Sequence, residues 1–516
     1  MFLREVRILN FRSIQNQTLS FTDTNRCRIL VGINESGKSN VLRALSMISR
    51  DVEPLKEDVR EPSPKEGAVK KSFIRFIFHL DNEEVSTVNR KIAVRFLTKA
   101  KSPELFATNE GDQTLDQFCA SHGTGVYRVN VIKGTKEAVH FVLVAAYLLR
   151  SRWKKISASA ASSEKLLTLR DGREVDLDEF LLVDTESYPE IPPEILEEAD
   201  ANYVYAAIGV EINKVIKENL PSCVYWAYSD KNLLPSRINL LSFVQDPDTC
   251  LPLKNMFLLA GVDNIADAIR EAQEKSTHGF RNLLSLVATM ATKHIHAIWK
   301  EYKGIEIRLE PYGPTEIDAG VKDAHNIFEM SRRSDGFKRF VSFLLLVSAK
   351  VRTNQLVNTL LLIDEPDNGL HPSGARYLKD ELITIAGANY VVFSTHSIFM
   401  IDKGKIDRHL IVKKEKEVTG LLEANESNFV DEEVLYNALG YSIFEILAEQ
   451  NLLFEGWRDK RLFEVALARV PAKYKEIKDI LKNIGRCHAQ GVKDIRYIAP
   501  LLELANRGCF IISDDH

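Results

Sequence analysis

A chain of 516 residues, 45% hydrophobic and 27% charged, has globular composition, which excludes disordered, collagenous and fibrous classes and predicts more than one folding unit. Lys plus Arg total 68 against 72 Asp plus Glu, so the net charge of −4 gives no whole-chain signature of nucleic-acid binding, although a local basic groove stays open. Six scattered cysteines with no CxxC argue against a zinc ribbon and suit reduced thiols, and neither the charged opening MFLREVRILNFRS nor the apolar run 141–149 reads as a signal peptide or a membrane span, so the expectation is a soluble cytoplasmic protein with no membrane partner.

The first 21 residues alternate apolar and polar, predicting two strands of a hairpin turning at Asn16-Gln17. A third apolar run, 27–31, leads into a glycine-bearing loop, and 40–48 has helical spacing. Residues 51–71 read as a surface connection, and 73–80 as a strand. The small, polar stretch 154–165 reads as a loop or insertion, and the Pro-rich acidic stretch 181–193 as a connector. An apolar stripe at helical spacing predicts a helix over 280–302, followed by a strand at 305–309. Further on, 340–350 reads as a buried helix, 360–363 as a strand, 373–386 as a helix and 390–394 as a buried strand. This alternation predicts an α/β fold with a parallel sheet covered by helices. The charged 413–417 marks an expected boundary. A second α/β unit then starts near 445, with a strand at 451–455, a helix at 460–469 and a strand at 509–512.

Gly32-Ile33-Asn34-Glu35-Ser36-Gly37-Lys38-Ser39 matches G-x-x-x-x-G-K-[ST], after an apolar strand and before a helix. Two glycines let the loop curl so that backbone N–H groups face phosphate oxygens, and the helix N-terminus adds partial positive charge. Lys38 would reach the β- and γ-phosphates, and Ser39 would ligate Mg²⁺. Strand 360–363 ends in Asp364-Glu365-Pro366: Asp364 would hold Mg²⁺ through water, and Glu365 would orient an attacking water. His396, closing the next strand, would hydrogen-bond the γ-phosphate.

These motifs, with Asn368 to Pro372 and Thr395-His396, resemble an ABC-type ATPase head, closest to the SMC/RecF/OLD branch. The opening Ile8-Leu9-Asn10-Phe11-Arg12-Ser13-Ile14 is similar to the first strand of that branch. Residues 333–339 (RSDGFKR) look like its signature motif. The resemblance implies ATP as cofactor, with Asn34, Gly37, Lys38, Ser39 and Asn40 around the nucleotide. It also implies a head-to-head homodimer in which Ser334, Gly336 and Lys338 reach the nucleotide of the other subunit. A convincing Gln-loop is absent, since 73–80 holds no Gln.

A second motif lies near the C-terminus. Glu455-Gly456-Trp457-Arg458-Asp459-Lys460 follows one strand, and Ser513-Asp514-Asp515 follows another. Parallel strands ending in carboxylates make a hard-cation site able to support phosphodiester cleavage. This resembles the E-G-x-x-D-K opening of a Toprim domain, with Glu455, Asp514 and Asp515 as catalytic candidates and Glu455 and Asp514 as ligands of Mg²⁺ or Mn²⁺. A strict D-x-D from Asp514 puts His516 in the second acidic position, so only the N-terminal part of such a domain is expected. The resemblance thus implies an ABC/SMC-type head over 1–100 and 331–420, a helical insertion over 101–330 for dimerisation or partner contact, and a partial Toprim-like domain over 445–516. The arrangement resembles OLD-family nucleases, including Gabija-type nucleases of anti-phage defence, and implies DNA as partner. The alternative is an ATPase sensor that controls a separate effector nuclease, resembling the PARIS and Septu ATPase subunits. His294 and His296 lie two apart on a helix and cannot share a face as metal ligands, and Arg152 to Lys155 reads as a solvated segment before a nucleic-acid contact.

Overall fold

The computed structural model describes residues 1–513 except 63–65, 102, 110, 140–146, 158–165, 227–232, 277, 299–303, 324–325, 331–332, 334–336, 339–340, 344, 346–356, 371, 403, 425–447, 449, 490–494, 497–498 and 500–507. Strands β1 (Phe2–Phe11) and β2 (Ile14–Ser20) form the opening hairpin, and β3 (Cys27–Val31) runs into the glycine loop and helix α1 (Lys38–Ser46). Strands β4 (Phe73–His79), β5 (Thr124–Asn130) and β6 (Thr135–Val139) follow, then helix α2 (Ala201–Asn219), β7 (Ser222–Trp226) and helix α3 (Gly279–Ile298). Next come β8 (Thr359–Ile363), α4 (Pro372–Ile385), β9 (Tyr390–Thr395) and the hairpin of β10 (His409–Glu415) with β11 (Val418–Glu423). The C-terminal unit holds β12 (Gln450–Phe454), α5 (Trp457–Ala468), β13 (Gly485–His488) and β14 (Gly508–Ile512).

Among the described residues one sheet of eleven strands runs in the order β7-β8-β9-β3-β10-β11-β2-β1-β4-β5-β6. The β7-β8-β9-β3-β10 half is parallel, and the β2-β1-β4-β5-β6 half is an antiparallel meander. The central parallel strands β3, β8 and β9 are buried at every position because both faces are covered. Their alternate side chains divide between two cores: Leu30, Leu360, Leu362 and Val392 join α1 and α2 on one face. Ile29, Leu361, Ile363 and Phe393 join α3 and α4 on the other. Each such side chain withdrawn wholly from water contributes roughly 1.5–3 kcal/mol. No helix among the described residues is long and apolar enough to cross a membrane.

Several expectations need correction. The first hairpin turns at Arg12-Ser13, with Phe11 opposite Ile14, while Asn16 and Gln17 pair with Leu9 and Ile8 inside the ladder. Asn16 is exposed strand and Gln17 is half-buried, its side chain accepting the Leu421 N–H at 3.0 Å, while Arg12 in the turn holds a positive φ of 45°. Residues 413–417 are no boundary: Lys416 and Glu417, at φ 46° and 70°, form the tip of the β10–β11 hairpin, which stays in the eleven-stranded sheet. The insertion is not purely helical, since it supplies β5, β6 and β7 to that sheet. The loop expected at 154–165 begins as strand Trp153–Ile156, with the rest from 158 outside the described residues. Trp153 is fully buried and its indole donates to the Glu104 carbonyl at 2.9 Å, which removes it as a base-stacking surface. The connector at 181–193 contains the buried strand Leu182–Asp184. The helix expected over 340–350 falls mostly outside the described residues.

Candidate functional site

Between β3 and α1 the chain curls back on itself. Glu35 and Gly37 hold positive φ angles of 62° and 104°, and Gly37 is the N-cap of α1 without any side-chain cap bond. A helix normally covers its first N–H groups with a Ser, Thr, Asp or Asn side chain; leaving them open suits an anion. Lys38 is 4% exposed; its ammonium donates to the Gly32 and Ile33 carbonyls at 2.9 Å each and lies 3.6 Å from Glu365 Oε1. Burial lowers its pKa against the opposing pull of Glu365, Asp364 and Asp367. Asn34 on the loop and Ser39 in the first turn of α1 are both exposed. Asn40, also expected beside the nucleotide, donates its amide N–H to Ser13 Oγ at 2.8 Å, and its Oδ1 accepts from Arg12 at 3.4 Å.

The parallel order places β3 next to β9 and β9 next to β8, so the carboxyl ends of these strands bring Lys38, Asp364, Glu365 and His396 together. His396 Nδ1 lies 3.5 Å from Glu365 Oε1, an ion-pair separation. That carboxylate raises the His396 pKa against the effect of burial, and His396, with Lys38, holds Glu365 below its ordinary value. Glu365 sits at φ 46°, in the left-handed region that costs a non-glycine residue about 1–2 kcal/mol. Ser394, fully buried, accounts for how it stays there: its hydroxyl accepts the Glu365 N–H at 2.9 Å and donates to Asp364 Oδ1 at 2.6 Å. Thr395 donates to both oxygens of Asp367, at 3.0 and 3.1 Å, and burial pushes Asp367 up to about 6.

Sequence reasoning missed Ser394 and Asp367, although both flank recognised motif residues. It also missed two partners from the β10–β11 hairpin: a Cβ on Gly32 would stand 2.4 Å from the Val412 carbonyl, and one on Gly37 would stand 2.1 Å from Thr419 Oγ1. Asp58 was missed too. It is fully exposed to no solvent and binds Arg12 at 2.8 Å and Arg43 at 3.1 Å, tying the first turn and α1 to one buried carboxylate.

Two family models match the chain: "AAA ATPase domain" over residues 1–181 and "AAA domain, putative AbiEii toxin, Type IV TA system" over 292–402. Between them they cover the glycine loop, the Asp364-Glu365 strand end and His396. The chain is an ATPase. A stretch of 95 residues, 17% of this chain, is 28% identical to the Old nuclease of Escherichia phage P2 and spans 16% of that protein. Among solved structures, an SMC head bound to the C-terminal winged-helix domain of ScpA aligns over 83% of this chain and all of its own, at 12% identity and TM-score 0.40. The SMC head domain from Thermotoga maritima aligns over 82% of this chain and all of its own, at 14% identity and TM-score 0.34.

Of the signature residues expected beside this head, Lys338 is partly buried, while Ser334 and Gly336 lie outside the described residues. In the C-terminal unit β12 runs between β13 and β14, and all three are parallel. Glu455 follows β12 directly and its N–H donates to the Ile512 carbonyl at 3.0 Å. Asp459 accepts the Gly456 N–H at 3.1 Å, so this acid of the motif is engaged in capping α5. Asp514 and Asp515 lie outside the described residues. Among the described residues no group of three or more His, Cys, Asp or Glu side chains is arranged to hold a metal.

Proposed function

We propose that the ATPase head controls a metal-dependent DNA endonuclease of the OLD kind, serving anti-phage defence. The stretch similar to the Old nuclease carries this reading. Glu455, at the carboxyl end of the central strand of a parallel three-stranded sheet, supports it. In the head, Lys38 and the open N–H groups of α1 receive the ATP phosphates, and Ser39 and Asp364 are the donors for Mg²⁺. Glu365 orients water, with His396 beside it. Ser334, Gly336 and Lys338 act across a head-to-head homodimer. In the C-terminal unit Glu455 and Asp514 are the donors for Mg²⁺ or Mn²⁺, with Asp515 a further catalytic acid, and a bound divalent ion would supply an activated nucleophile and charge neutralisation at phosphate.

Plasmid nicking with Mg²⁺ or Mn²⁺ tests this, comparing the full chain with Glu455→Ala and Asp514→Ala. Cleavage lost in both variants is expected. Cleavage indifferent to both, or none in the parent, would refute the nuclease and move the chemistry to a separate effector. In parallel, Lys38→Ala should lose ATP binding, and Glu365→Gln should bind ATP with turnover down at least about 100-fold.

A further inference from the structure

Thr419 lies more than 380 residues from the glycine loop along the chain, yet it forms the wall behind that loop. Its side chain is fully buried and its hydroxyl donates to the Ser36 carbonyl at 3.1 Å. Arg12 donates to Asn40 Oδ1, Asn40 donates to Ser13 Oγ, and Ser13 Oγ lies 2.7 Å from Thr419 Oγ1. Because Thr419 commits its hydrogen to Ser36, Ser13 must donate to Thr419. Each hydroxyl therefore gives one bond and takes one, and the chain runs in a single sense from a guanidinium to a loop carbonyl. Bonds aligned in this way polarise one another.

The Ser36 carbonyl and the Gly37 N–H belong to one planar trans peptide and point in opposite directions. Fixing the carbonyl against Thr419 therefore aims the Gly37 N–H away from Thr419, toward the open side of the loop. The missing Cβ of Gly37 makes this approach possible, since that atom would fall 2.1 Å from Thr419 Oγ1 and 2.8 Å from its Cγ2.

We propose that Thr419 is a positioning residue for ATP: with Ser13, Asn40 and Arg12 it holds the Ser36–Gly37 peptide so that the Gly37 N–H meets a phosphate oxygen. This rests on the reading of the Lys38 loop as the nucleotide site. The competing account is that Thr419 only fills space behind the loop. The two accounts differ in sign between two substitutions. If Thr419 fills space, Thr419→Val, which keeps the shape, is tolerated and Thr419→Ser is worse. If Thr419 positions the peptide, Ser is tolerated and Val is damaging.

The test measures ATP turnover and binding of a fluorescent ATP analogue with the full chain. Thr419→Val is expected to raise KM and Kd for ATP about tenfold with kcat within about twofold, because the lost contact serves ground state and transition state equally. Thr419→Ser is expected to stay within about twofold of the parent on both, and Ser13→Ala to follow Val in direction with about a threefold change. Parent-like ATP affinity in Thr419→Val, or a Ser variant as impaired as Val, overturns the proposal while leaving the nucleotide site intact. Normal turnover in the Lys38→Ala control overturns the site itself, and the proposal with it.

Discussion

Replacing Ser394 with alanine removes one hydroxyl that serves two groups at once. The Asp364 carboxylate loses a bond of 2.6 Å, and the Glu365 N–H loses its acceptor at 2.9 Å, the fully buried Ser394 hydroxyl. A hydrogen bond to a charged group contributes roughly 1.5–3 kcal/mol, and an orphaned buried N–H costs roughly 1–3 kcal/mol. Because one atom makes both bonds the two do not add, and about 3 kcal/mol is the expected loss. That exceeds the roughly 1–2 kcal/mol of strain that Glu365 carries at φ 46°, so its backbone should relax and swing the carboxylate off His396 and Lys38. A displacement on the order of 1 Å at a reacting group lowers rates about 100-fold. Phosphate release from ATP should therefore fall about 100-fold in Ser394→Ala, while KM moves less than about threefold, because the glycine loop is untouched and its Gly32 and Ile33 carbonyls still hold Lys38. A kcat within about twofold of the parent would falsify the idea that Ser394 holds Glu365 in place.

Asp58 provides an acid-stability prediction. Burial alone would raise its pKa, but the Leu55 N–H, Arg43 and Arg12 outweigh burial and hold it below the ordinary value. A carboxylate depressed in the fold contributes stability above its unfolded pKa, which is lost as pH falls through the lower folded value. Asp58→Asn should therefore cost about 2–3 kcal/mol at neutral pH, less than a wholly buried pair because Arg12 and Arg43 are 30% and 24% exposed. The variant's melting temperature should also fall less steeply than the parent's below about pH 4, and parallel curves would count against the assignment. His396 runs the other way. Its pKa is raised by Glu365, so the stability from that pair is full below about pH 6.5 and fades as pH climbs through the raised value. Between pH 6 and 9 the parent should lose thermal stability that His396→Gln does not lose; an equal decline in both would show that another group titrates there.

Elements whose signal is local were legible in the sequence. Cys27–Val31, Gly279–Ile298 and Tyr390–Thr395 carry runs or stripes that depend only on neighbours, and the glycine loop carries fixed spacing. Misreadings arose where a local cue was outweighed. Asn16-Gln17 has turn chemistry but lies in the ladder, because the shorter reversal at Arg12-Ser13 lets Phe11 and Ile14 both reach the core. Lys413 to Glu417 has linker chemistry but forms a hairpin tip. Ser394, Asp58 and Thr419 were not legible at all: each is a single polar residue whose role exists only through a partner 15 to 383 positions away.

Strand order explains why those distant partners meet. The glycine loop leaves the carboxyl end of β3, and β3 lies between β9 and β10. One flank of the loop therefore faces Glu365 and His396, where charge is managed, and the other faces Val412 and Thr419, where the backbone is held. Each flank contacts a part of the motif that fixed spacing alone ascribes to phosphate. Lys38 is already paired with Glu365 at 3.6 Å, and both glycines are required by atoms of the β10–β11 hairpin at 2.4 and 2.1 Å. Glycine at positions 32 and 37 is thus demanded twice, by the curl that admits phosphate and by the hairpin that stiffens it. A substitution at either glycine disturbs the wall as well as the cradle. The wall is the only part that can be altered separately, through Thr419.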